Sequence, residues 1–256
     1  MFSLFRQKPL LDKDTTEWLW ESYGWALRNF DRDLFYSQTV LVTASKEHFP
    51  DQADDGSALA QLILDRIKGY TALQKWPTRL IPITEEMPAL PSPVIAITGP
   101  ARGELTTIEI NNDQVLPVHY DPSLLRQPDL LIAVMAQALA SPLAQLCPEP
   151  PPGGDETRGA ATDLLAIFMG FGLFLTNNAF NYHIGGCGSC KPRGVQLLGE
   201  LTEEQMAYAL ALFCVLKEIP NSVVLPQLKS TVRPFFKLAV KEVNSKRDEL
   251  AQLRSL

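Results

Sequence analysis

Histidine and cysteine are scarce in this chain, three of the one and four of the other in 256 residues. His48, His119 and His183 stand too far apart for any two to form a pair on one helical face, which removes the simplest way of bringing two imidazoles to one zinc ion. Cys147, Cys187, Cys190 and Cys214 are too few and too unevenly placed for a disulfide framework in a chain of this length, so reduced thiols are expected. No serine nucleophile elbow, glycine-rich phosphate loop or dinucleotide fingerprint is present. Basic residues are scattered as far as the C-terminal tail and the net charge is -6, which opposes a nucleic-acid-binding face. Residues 1–9 lack the apolar run and small-residue cleavage site of a signal peptide. The most apolar stretch, 164–176, is shorter than a membrane span and is flanked by Asp163 and Asn177. A cytoplasmic location with neither nucleic acid nor membrane as partner is the expectation.

What is present suffices for a substantial core, since 46% of the residues are hydrophobic. Leu19, Tyr23, Ala26, Leu27 and Phe30 recur at helical spacing and predict a helix over 16–30; Trp18, Trp20 and Trp25 lie partly off that stripe, which implies a wide buried face or a contact surface. Residues 35–43 read as a strand or a buried loop, and 46–51, with His48 fixing it, as a turn. A helix follows over 56–73, opened by the polar run Asp54-Asp55-Gly56-Ser57. Short apolar runs at 79–83, 94–98, 106–110 and 115–119 predict the strands of one small sheet, with Pro82 and Pro117 pushing their strands to an edge. His119 falls at a strand end, where packing is its simplest role.

Beyond Pro128 the pattern is helical. A helix is predicted over 129–145, ended or kinked by Pro142. A loop covers 147–159, and an apolar central helix spans 162–180, its Gly170 and Gly172 allowing close packing. Thr202-Glu203-Glu204-Gln205 is a capping box opening a helix to about Glu218. A last helix or helix pair over 227–253 turns Phe236, Val240, Val243, Leu250 and Leu253 inward. The class is α+β, one domain over 1–256 with a helix-and-sheet portion (1–125) and a helical portion (126–256).

The Trp-rich first helix, the Phe49-Pro50-Asp51 turn, the segment 134–180 with Thr162-Asp163-Leu164-Leu165 and Gly170-Phe171-Gly172, and the 199–213 run together resemble a family of uncharacterised bacterial proteins of the zincin type. The resemblance implies a metallopeptidase-related fold with His-Glu-x-x-His on a helix and an acidic residue some twenty positions on. Two histidines four apart hold the zinc in such a motif, and the glutamate acts as general base on the metal-bound water. Here those positions carry Gln137, Ala138 and Ser141, with Asp163 the acidic residue that remains and Glu156 another acidic candidate. A glutamine offers a weak neutral oxygen, a serine a poor hydroxyl and an alanine no proton acceptor. The resemblance therefore implies a pseudoenzyme without a catalytic cofactor, retained for binding a protein or peptide in the inherited cleft.

Two alternatives stay open. One is a hydrolase with relocated metal chemistry that uses Asp163, His119 or His183. The other rests on the glycine-rich stretch 183–193: Cys187 and Cys190, with His183 and a distant cysteine, have the residue types of a structural zinc site, or of a redox pair.

Overall fold

The computed structural model describes residues 8–83, 96–109, 115–183 and 199–256. Helix α1 (Lys13–Asn29) begins one turn before its apolar stripe because the Asp12 carboxylate accepts from Thr15 N. Trp20 and Trp25 are buried. The three indole N–H groups of this helix all find acceptors: Trp18 on Pro152 O (2.7 Å), Trp25 on Glu149 O (2.8 Å) and Trp20 on the Tyr208 hydroxyl (3.3 Å). The tryptophans thus widen the buried face and tie α1 to the second half of the chain.

The 35–43 stretch begins as helix rather than strand. Asp31 accepts from Leu34 N at 2.9 Å and opens α2 (Arg32–Ser37). Its continuation forms no strand pairing among the described residues; Thr39, Leu41 and Val42 in it are buried and Val40 is exposed. Helix α3 (Gly56–Thr71) follows, capped by Asp55.

The four short strands are β1 (Thr78–Pro82), β2 (Ala96–Thr98), β3 (Thr107–Glu109) and β4 (Leu116–Tyr120). Among the described residues they form two two-stranded sheets, parallel β1–β4 and antiparallel β2–β3, not the single sheet expected. Proline accounts for part of this. Leu116 N donates to Pro77 O at 2.8 Å, so alternate residues of β4 face β1 and Pro117 lies on the outer side. Without an N–H there, that edge cannot recruit a third strand by the usual ladder.

Helix α4 (Pro128–Leu146) continues past Pro142 to its own end instead of stopping there. The expected single helix over 162–180 is divided into α5 (Arg158–Ala166) and α6 (Gly172–His183) by a π turn, Ile167–Phe171. Gly170 has φ +101°, and a Cβ there would overlap the Val40 carbonyl. The same crossing chain donates Val42 N to Gly170 O at 3.0 Å. Gly172 does serve close packing: a Cβ would stand 2.8 Å from Leu210 Cδ1.

Leu210 belongs to α7 (Glu203–Leu216), which opens with the reciprocal Thr202/Gln205 capping box. Residues 206–214 are all buried, so α7 occupies the centre of the helical half. Helices α8 (Asn221–Val224), α9 (Arg233–Ser245) and α10 (Arg247–Ser255) close the chain, with Phe236, Val240, Val243, Leu250 and Leu253 turned inward. The stretches Pro128–Leu146 and Gly154–Ala179 are long and apolar enough to cross a membrane, yet 61% and 83% of their apolar windows lie buried inside the molecule. The architecture is α+β, dominated by helices.

Candidate functional site

Helices α4 and α5 pack antiparallel: Gln137 meets Asp163 at one level, and Arg158 donates to Ala144 O (2.8 Å) two turns along. Apolar neighbours carry both polar groups inward. Met135, Ala136 and Leu139 surround Gln137 along α4, and Ala161, Leu164 and Leu165 surround Asp163 along α5, all buried. Asp163 is 1% exposed and Gln137 8%.

Both oxygens of the Asp163 carboxylate are engaged. Gln137 Nε2 donates to Oδ1, while Glu200 N (2.7 Å) and Leu201 N (3.0 Å) donate to Oδ2. The approach of that backbone requires Gly199, which has φ +91° and whose Cβ would lie 2.9 Å from Asp163 Oδ2. The Glu200 carboxylate in turn accepts from Ala160 N at 3.1 Å. It supplies the first turn of α5 with the acceptor that the Thr157 side chain does not provide. The segment 199–201 is therefore fastened to α5 twice.

Burial raises the Asp163 pKa to about 6, outweighing the hydrogen bonds from Leu201, Glu200 and Gln137, which act the other way; the Glu200 charge adds to the rise. A carboxylate with this pKa has the acidity of a general acid or base, but its two oxygens face protein donors rather than an open cleft. A recess of about 600 Å³ does exist, between α1 and α10 over Trp20 and Leu253, and it shares no residue with the Gln137–Asp163 pair.

The other sequence-derived positions lie apart from this pair in what they bond. Ser141 accepts from Gln145 at 3.1 Å, and Ala138 packs against the core at half burial. Glu156 is exposed in a 3₁₀ turn, Gly154–Thr157. His48 fixes the expected turn, its Nδ1 3.0 Å from Thr43 Oγ1 and 3.3 Å from Ser45 Oγ. His119 lies in β4 opposite Ile81. His183 is the last residue of α6, and Cys187 and Cys190 lie outside the described residues. Among the described residues, no three His, Cys, Asp or Glu side chains gather into a group able to hold a metal ion.

Sequence reasoning missed Gly199 and Glu200. Their only local signal is a glycine three residues before the Thr202 cap, which does not say which helix they will meet. Comparisons with protein-family models, with curated proteins and with solved structures find no match for the chain.

Proposed function

We propose that this chain is a catalytically inactive relative of the zincin-type metallopeptidases that acts by binding a protein or peptide. The observation that carries the reading is the Gln137–Asp163 pair. At the positions where the resemblance would put a zinc histidine and the downstream acid, a neutral amide donates to a buried carboxylate whose other oxygen is taken by two backbone N–H groups. Metal-dependent hydrolysis needs an open coordination position and a water near a general base. Ala138 supplies no such base, and Ser141 is bonded within its own helix. The hydrogen bonds among Gln137, Asp163 and the 199–201 backbone take over the cross-linking that a metal centre provides between helices.

Restoring the motif tests the ancestry. The combined substitutions Gln137→His, Ala138→Glu and Ser141→His should give near-stoichiometric zinc by elemental analysis, beyond whatever the parent holds, with loss on chelation. A triple variant that folds and gains no zinc sinks the zincin relationship. The non-catalytic role has its own test: peptidase activity in the purified parent that disappears in Asp163→Ala refutes it. Zinc in the parent that is lost when Cys187 and Cys190 are both changed to Ser would transfer the role to an interaction surface ordered by a structural zinc. Capture from the native cell then identifies the partner.

A further inference from the structure

We propose that the recess between α1 and α10 binds an extended peptide segment of a partner protein, one that joins a lysine or arginine to apolar residues and sets its cation against Glu17 and Glu21. The inference rests on the binding role proposed above and seats it away from the Gln137–Asp163 pair; it does not depend on zincin ancestry.

The recess holds about 600 Å³. Its α1 wall carries Glu17, Trp20, Glu21, Gly24 and Arg28, residues three or four apart along one helical face. From Glu17 to Arg28 that face runs about 16 Å, the length of about five extended residues. Volume and length therefore suit a short stretch of peptide. Trp20, Leu253 and Leu256 give it an apolar floor.

Gly24 is the observation that points to an occupant. A glycine in the middle of a helix weakens it relative to alanine. Packing does not ask for one here: a Cβ would meet Arg28 Nη1 at 3.4 Å and both Leu253 Cδ2 and Leu256 Cδ1 at 3.5 Å, which are ordinary contact distances. The backbone does not ask for one either, since Gly24 lies within α1 and has no positive φ. The chain forgoes helix stability at a position where a side chain would fill the recess, and such departures from local preference mark functional surfaces.

Charge selects the occupant. Arg28 is held by Glu149 (2.7 Å) and Lys246 by Glu249 (3.2 Å), so both cations of the recess are answered within the protein. Glu21 has no ion pair or hydrogen bond among the described residues. Glu17 pairs at 3.3 Å with Lys13, whose side chain is 82% exposed and easily displaced. The field left along this end of α1 is negative and favours a cationic side chain over an acidic one. Its aliphatic stem and the apolar neighbours then lie on the floor.

Selection of phage-displayed random heptapeptides on the immobilised full chain should enrich sequences that combine Lys or Arg with Leu, Ile or Phe. A synthetic peptide of the enriched sequence, titrated calorimetrically, should bind Glu21→Lys roughly tenfold more weakly than the parent and show no measurable binding to Gly24→Leu, which fills the recess. Gly24→Ala should melt at a higher temperature than the parent and bind the same peptide more weakly. Enrichment of acidic sequences, or of none, overturns the proposal. So does undiminished affinity for Gly24→Leu, which would keep the binding role and place it elsewhere on the molecule. An Ala variant that melts below the parent would give the glycine a packing reason and also overturns it. If Gly24→Leu does not fold, Glu21→Lys and Gly24→Ala carry the decision.

Discussion

The rings of Phe35 and Phe168 lie parallel, their centroids 4.4 Å apart and their planes 9° from coincidence. Each outer face carries a cation: Lys217 Nζ stands 5.4 Å from the Phe35 centroid and Arg102 Cζ 5.2 Å from that of Phe168. One column thus joins α2, the π turn, the residue after α7 and the β2–β3 loop, with Tyr23 and Phe213 edge-on to it. Cations on both outer faces favour stacking between them, because each is drawn to the negative face of its ring. A double-mutant cycle of Phe35→Leu and Phe168→Leu should give a coupling of about 1 kcal/mol in urea unfolding. Strict additivity would mean that the rings contribute buried area alone.

Asp163 gives the protein a pH dependence whose sign is unusual for a carboxylate. Its folded pKa, about 6, is above the ordinary aspartate value of 3.8. The folded state therefore binds the proton more tightly, and the contribution to stability is greatest below about pH 4 and is lost as pH rises through 6. The ionised form at neutral pH costs roughly 3 kcal/mol relative to the protonated one. Asp163→Asn removes that cost and keeps the contacts, because Gln137 can turn its amide to accept from the new amide while the Glu200 and Leu201 N–H groups keep an oxygen. The variant should equal or exceed the parent in stability at pH 7.5, with the difference shifting in the parent's favour toward pH 4.5. Asp163→Ala strands two backbone donors and should be less stable than the Asn variant throughout. An Asn variant clearly weaker than the parent at pH 7.5 would mean that the charge itself is required.

Local signals in the sequence were legible and distant ones were not. The α7 capping box could be read directly, because Thr202 and Gln205 satisfy each other within one turn. The inward residues of α9 and α10 followed from periodicity. Each of the apolar runs overlaps a strand over its described residues, 94–95 and 110 lying outside them, but the partition into two pairs depends on which edges meet. The break at Gly170 arises from a carbonyl delivered by the segment after α2, so nothing between residues 162 and 180 announces it. At the site, Gln137 and Asp163 meet because α4 and α5 pack side by side. The backbone that closes over Asp163 comes from a third segment with no pattern of its own.

Gly170 and Gly172 look alike in the sequence and should respond differently to alanine. At Gly170 the backbone is in a region that L side chains rarely adopt and the obstacle is a main-chain carbonyl hydrogen-bonded in place. Gly170→Ala should cost about 3 kcal/mol or more, combining strain at positive φ with displacement of the 40–42 segment. At Gly172 the obstacles are Leu210 Cδ1 at 2.8 Å and Ile167 Cγ2 at 3.0 Å, the ends of side chains that can shift. Gly172→Ala should cost about 1–2 kcal/mol. Urea midpoints of the two variants provide the check, and a reversed order would contradict this account of the π turn.

The segment after α4 depends on α1 for its position, and Glu149 is the point of attachment. Trp25 Nε1 donates to its carbonyl (2.8 Å), while Arg28 (2.7 Å) and Asn29 (2.7 Å) hold the two carboxylate oxygens. These partners draw the Glu149 pKa below its ordinary value, Arg28 most strongly. The charged contacts are exposed and therefore weak; the indole bond is partly buried and should matter more. Trp25→Phe removes that donor while keeping most of the ring. A loss of about 1 kcal/mol in local stability raises the open population of the 147–157 loop roughly fivefold, and under fast opening and closing the cleavage rate follows that population. Limited proteolysis should therefore cut this loop several-fold faster in Trp25→Phe than in the parent, while cleavage in α9 changes less. Equal acceleration at both places would show that the substitution weakens the whole molecule and that the indole bond does not hold the loop in particular.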